Sequence, residues 1–201
     1  MWKLTPAKSV RLVLGLVLYG VGMALMVRAE LGVSPWDVLT QGLMNVTGLD
    51  FGLITFLVSI VVFALWIPLR QRPGAGTVAN LLIIPVAVQV SLWILPTGYP
   101  LWARVLLLAG GILAIAIASG LYIGVHLGPG PRDGLMTGLH QRTGWPIGVV
   151  RTLLEVSVVL VGWLLGGNLG IGTIAFALLI GPLVQVALRW LSMRHPVEVP
   201  A

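Results

Sequence analysis

Residues 31–52, LGVSPWDVLTQGLMNVTGLDFG, return without a gap at 127–148 as LGPGPRDGLMTGLHQRTGWPIG. At this offset of 96 positions, the step from Gly32 to Gly128, the glycines at 42/138, 48/144 and 52/148, the prolines at 35/131 and the acids Asp37/Asp133 coincide. The same offset lays GAGTVANLLIIPVAVQV (74–90) on GIGTIAFALLIGPLVQV (170–186), which share a threonine (Thr77/Thr173) and a glutamine (Gln89/Gln185). One offset that recovers both blocks marks an internal duplication. Whatever one half builds, the other builds again: repeat 1 covers about 9–95 and repeat 2 about 105–191 of a single domain, 1–201.

The solvent of that domain follows from its charge. Only 9% of the 201 residues are charged and 58% are hydrophobic, against roughly 25% charged in a soluble domain. So few charges cannot cover a surface in water, and the chain reads as an integral membrane protein whose first partner is the lipid bilayer. A span needs roughly 20 apolar residues. That ruler predicts six, near 9–29, 51–69, 77–95, 103–125, 147–165 and 171–191. The basic start and Val27-Arg28-Ala29 imitate a cleaved signal, but 9–29 aligns at the same offset with the apolar segment 105–125, so it reads as a permanent span.

The net charge of +6 does not point to nucleic acid, because the basic residues sit at the ends of apolar runs, where they set topology. With the N-terminus in the cytoplasm, Lys3, Lys8, Arg11, Arg70, Arg72, Arg132, Arg142, Arg189 and Arg194 fall inside, and only Arg28 and Arg104 outside. Both termini are therefore expected in the cytoplasm. Three spans per repeat is an odd number, so the second copy enters upside down. The expected fold is all-α: six transmembrane helices as two inverted three-helix repeats, an architecture of many secondary transporters.

Each repeat also carries a helix too short to cross, about 35–46 and 131–142, either re-entrant or flat at the interface with Trp36 and Trp145 as anchors. Ser34-Pro35-Trp36-Asp37 reads as an N-cap serine, a first-turn proline and an acid in a capping box. Gly130-Pro131-Arg132-Asp133 repeats it with glycine at the cap, and Gly48 and Gly144 supply left-handed C-caps.

The candidate path residues follow from the cost of polarity in a membrane. Asp37 and Asp133 either cap their helices or face a polar path, with Arg132 beside it. Arg151 and Glu155, four residues apart on one face of the fifth span, replace Thr55 and Ser59 of the first repeat. An ion pair there either clamps helices or lines a pathway. Thr77, Thr173, Asn80, Gln89 and Gln185 line the same path or bond neighbouring helices.

Enzyme motifs fail on spacing. Gly128-x-Gly130 lacks a third glycine and a preceding strand, the run 166–173 lacks a P-loop lysine, and Ser119-Gly120 lacks the context of an intramembrane protease. His126, His140 and His195 have no metal spacing, and the absence of cysteine removes thiol chemistry. No cofactor, metal or catalytic residue is expected.

LGxxPxDxLxxGL…TG, the Arg-x-x-x-Glu of the fifth span, LLGGNLGIGT and Gly181-Pro182 together resemble the YczE/YitT-like family of bacterial integral membrane proteins over essentially the full chain. The resemblance implies a multi-spanning inner-membrane protein of a kind left uncharacterised or treated as a transporter, and it brings no substrate and no accepted catalytic residues. Three functions are in view. The first is a small-solute transporter or channel with a central polar path. The second is the substrate-capture subunit of an energy-coupling-factor transporter, and the third a non-transporting assembly factor. Carboxylates at the short helix starts offset the helix dipole, which favours cationic, zwitterionic or proton-coupled solutes over simple anions. Six spans make a thin bundle, so a homodimer is expected.

Overall fold

A computed structural model describes residues 5–191. Lys3, Arg194 and His195, named above, lie outside the described residues. Among the described residues, every regular element is helical, and six helical segments are long and apolar enough to cross a membrane. They are α1 (Pro6–Ala29), α3 with α4 (Phe51–Ala64 and Trp66–Leu69, one span broken at Leu65), α5 (Ala75–Ile94), α6 (Leu101–Ile123), α8 (Ile147–Leu164) and α9 (Ile171–Leu191). The two short helices are α2 (Pro35–Thr47) and α7 (Pro131–Thr143).

The starts and stops have local causes. Thr5 accepts the Lys8 N–H and Pro6 opens α1, a side-chain cap followed by a ring that needs no N–H partner. Proline likewise opens α2 and α7, and Gly48 (φ 70°) and Gly144 (φ 73°) close them in the left-handed region. One expected cap differs. Ser34 makes no side-chain cap bond; its hydroxyl instead donates to Asp37 Oδ2 at 2.6 Å. A buried carboxylate is the stronger acceptor, so the serine serves the acid rather than the backbone.

Helices α1 and α6 form the centre, with α5 against α1 and α9 against α6. Close approach at the centre needs small residues: a Cβ at Gly22 would stand 3.0 Å from the Gly111 carbonyl. Polar contacts fix which ends meet. Arg28 donates to the Leu92 carbonyl, joining the C-terminal ends of α1 and α5. Arg11 donates to the Leu191 carbonyl, joining the N-terminal end of α1 to the C-terminal end of α9. Arg104, early in α6, bonds the Ala29 carbonyl at 2.7 Å and pairs with Glu30 at 3.3 Å.

Residues 96 apart behave alike. Glu30 and His126 both take a left-handed backbone (φ 53° and 54°), and so do Gly32 and Gly128 (φ 114° and 118°). Their bonds are exchanged between halves. Gly76 N–H donates to Leu127 O at 2.8 Å, and Gly172 N–H donates to Leu31 O at 2.7 Å. Each repeat thus holds the extended segment of the other, as in a self-complementary interface.

The outer helices do not follow suit. Helix α3 packs along α5, where Gly52 N–H donates to Gln89 Oε1 at 2.8 Å. Helix α8, its counterpart, packs against α2 and makes no comparable contact with α9. Gly148, the equivalent of Gly52, is exposed, and a Cβ there would meet nothing within 4 Å.

Candidate functional site

The segments that precede α2 and α7 bring the two helix starts together. Arg132 lies over the Trp36 ring, 5.1 Å from its centroid, although residues 36 and 132 occupy the same position of the two repeats. The contact is a cation–π pair. The Arg132 guanidinium also approaches Asp37 Oδ1 at 3.8 Å. That distance exceeds a hydrogen bond, and Oδ1 is a buried acceptor with no hydrogen-bond partner among the described residues. Asp37 is 1% exposed and Arg132 23%, so the acid of one half is held by the cation of the other.

Around this junction lies a cavity of about 340 Å³. Its walls come from both halves: Tyr19 and Met23 of α1, Thr55 and Ser59 of α3, Asn80 and Ile84 of α5, Ser119 and Tyr122 of α6, Arg132, Asp133 and Met136 of α7, Arg151 and Glu155 of α8, and Phe176, Ile180 and Gln185 of α9. Tyr122 donates its hydroxyl to Asp133 Oδ2 at 3.2 Å, and its ring meets Tyr19 edge to face at 6.1 Å. Arg151 Nε donates to Glu155 Oε1 at 2.9 Å. The pair is half exposed on the arginine side (49%) and 30% exposed on the glutamate side. Thr55 and Ser119 give their protons to Phe51 O and Ile115 O in their own helices, leaving oxygen lone pairs as acceptors.

The structure gathers part of the sequence-derived set. Asp133, Arg132, Arg151, Glu155, Asn80 and Gln185 line the cavity. Asp37 stands behind that wall. Thr77 is buried at the start of α5, where its oxygen accepts the Gly74 N–H and its hydroxyl donates to Pro129 O. Thr173 accepts the Gly170 N–H at the start of α9, and Gln89 is occupied by Gly52. These three hold helices and loops together and do not reach the cavity. Tyr19 and Tyr122 escaped the sequence reading. A tyrosine in mid-span carries a hydroxyl that must find a partner, and that signal could have marked both. No group of side chains among the described residues is arranged to hold a metal ion.

A cavity of mixed apolar and charged lining, walled by six membrane-length helices, defines a polytopic membrane protein. The chain belongs to the family of unknown function DUF6198, whose model matches residues 7–189. It is 43% identical over 178 residues to an uncharacterised protein of Haemophilus influenzae, covering 89% of this chain and 82% of that one. It is 30% identical over 176 residues to the uncharacterised membrane protein YczE of Bacillus subtilis, covering 87% and 82%, which bears out the resemblance drawn from the motifs. An uncharacterised protein YyaS of the same organism is 24% identical over 177 residues, covering 86% and 88%. No solved structure matches the chain.

Proposed function

We propose that this protein is a small-solute secondary transporter of the bacterial inner membrane, with both termini cytoplasmic, that moves its solute unchanged through the central cavity. One observation carries the reading: a cavity of about 340 Å³ walled by both halves, with Arg132, Asp133, Arg151 and Glu155 at its surface. Ionisable groups inside a membrane bundle cost several kcal/mol unless they face a polar path or one another. Here they do both.

The exchanged bonds of Gly76 and Gly172 support two halves related by a pseudo-two-fold axis. Helices α5 and α9 point their C-terminal ends to opposite ends of α1, which supports an inverted relation between the repeats. The contact of Trp36 with Arg132 supports re-entrant short helices that meet start to start. Their positive dipole ends then face the cavity.

Each arginine already has a carboxylate partner, Asp37 or Glu155, while Asp133 is held by a tyrosine hydroxyl. With Tyr19, Trp36 and Tyr122 in the walls, this chemistry fits a cationic or zwitterionic solute whose ammonium meets aromatic faces and carboxylate. A homodimer belongs to the same reading, and cross-linking in native membranes tests it.

A thermal-shift screen of the purified protein in detergent tests the function, with amino acids, polyamines, vitamins, nucleosides and inorganic ions. A ligand at 100 times its dissociation constant adds about 2.7 kcal/mol. The expected result is a cationic or zwitterionic hit that Asp133→Asn and Glu155→Gln both weaken. A hit that neither variant weakens would place the site elsewhere. Silence across the screen with folded protein would favour an assembly role.

A further inference from the structure

The two halves share the parts of a gate and hold them in different states. On α3 and α5, Gly52 and Gln89 are joined, and a Cβ at Gly52 would come within 2.6 Å of Gln89 Cβ and of the Pro85 carbonyl. On α8 and α9 the same two residues recur as Gly148 and Gln185, and the helices stand apart. Gly148 and Gly181, the latter in the place of Pro85, both face open space. Gln185 lines the cavity instead of bonding a glycine N–H. The cavity therefore reaches outward between α8 and α9, past the half-exposed Arg151. Between α3 and α5 it is shut.

The ends differ as well. Gln185 lies near the C-terminal end of α9, beside the start of α1 through Arg11 and Leu191. Gln89 lies near the C-terminal end of α5, beside the end of α1 through Arg28 and Leu92. The open pair and the closed pair thus guard opposite ends of the bundle.

We infer that Gly52–Gln89 and Gly148–Gln185 are alternating latches: in the second state Gly148 N–H bonds Gln185 Oε1, α8 closes on α9, and α3 leaves α5. Both states use the same residue types at the same register, so the exchange trades one hydrogen bond and one helix contact for their equivalents. Two arrangements of nearly equal energy are what a rocking transporter requires. The charges sit on the moving helix: Arg151 and Glu155 ride on α8, while α3 carries Thr55 and Ser59 at those places. Closing α8 would bury the exposed side of the ion pair, which already lines the cavity. This inference rests on the transporter reading, since a channel or an assembly factor needs no such exchange.

The chain lacks cysteine, so spin labels go only where they are placed. One doubly labelled protein carries Leu53→Cys and Val90→Cys, the other Val149→Cys and Val186→Cys. All four positions are exposed and equivalent in pairs. Pulsed-EPR distances in lipid nanodiscs should give mainly short separations for the first pair and mainly long ones for the second. Gln89→Ala should shift the long-to-short ratio about fivefold, the worth of one hydrogen bond, upward for the first pair and downward for the second. Gln185→Ala should lower any short component of the second pair by a similar factor. Distances that neither variant changes, or that change in the same direction, would overturn the exchange. The measurement needs no solute. A fixed gate alongside a confirmed solute would refute only the latches, and exchanging latches with a silent ligand screen would refute only the transporter.

Discussion

Arg132 is the residue on which the junction of the halves depends. It pairs with an acid that is 1% exposed and whose Oδ1 has no hydrogen-bond partner among the described residues. Removing one member of a buried pair is far more costly than removing both, because it strands the other charge. Arg132→Met is expected to destabilise the protein by about 3 kcal/mol, and the double variant with Asp37→Asn to recover part of that loss. Denaturation of the three proteins in one detergent measures both. The sequence marked Arg132 and Asp37 as charges near a helix start but did not pair them, because their partnership joins opposite repeats. Tyr19 and Tyr122 went unread for a related reason: each becomes polar machinery only when α1 and α6 bring them edge to face.

At the scale of elements, length and punctuation were legible. A ruler of apolar residues put a span at 171–191, the range α9 occupies, and Pro35, Pro131, Gly48 and Gly144 bounded both short helices to within a residue. The difference between α3 and α8 was not legible, and could not be. Gly52 matches Gly148 and Gln89 matches Gln185, so the pattern specifies the contact twice without saying which copy is made. The choice belongs to the conformation. Substitution should expose it: Gly52→Ala forces a Cβ against Gln89 and the Pro85 carbonyl and is expected to cost about 1–3 kcal/mol. Gly148→Ala should leave the thermal midpoint unchanged. Trp66 offers a third case. Buried to 2% exposure, it bonds Pro131 O at 2.9 Å and packs on Gly134. Trp66→Ala is expected to cost about 3–5 kcal/mol, read as a lower unfolding midpoint.

For the whole molecule, the duplication does most of the explaining. It places two short helices start to start and walls one cavity with both halves. It also leaves Arg151 and Glu155 as a departure from symmetry, where the first repeat has only hydroxyls. A solute path through that cavity is the central claim, and uptake into proteoliposomes tests it most directly. Purified protein, reconstituted beside Asp133→Asn and Glu155→Gln, would be offered isotope-labelled amino acids and polyamines. The expected result is saturable uptake by the parent protein that either substitution lowers at least tenfold. Uptake no greater than protein-free vesicles for every solute, or uptake that both substitutions leave intact, would contradict it.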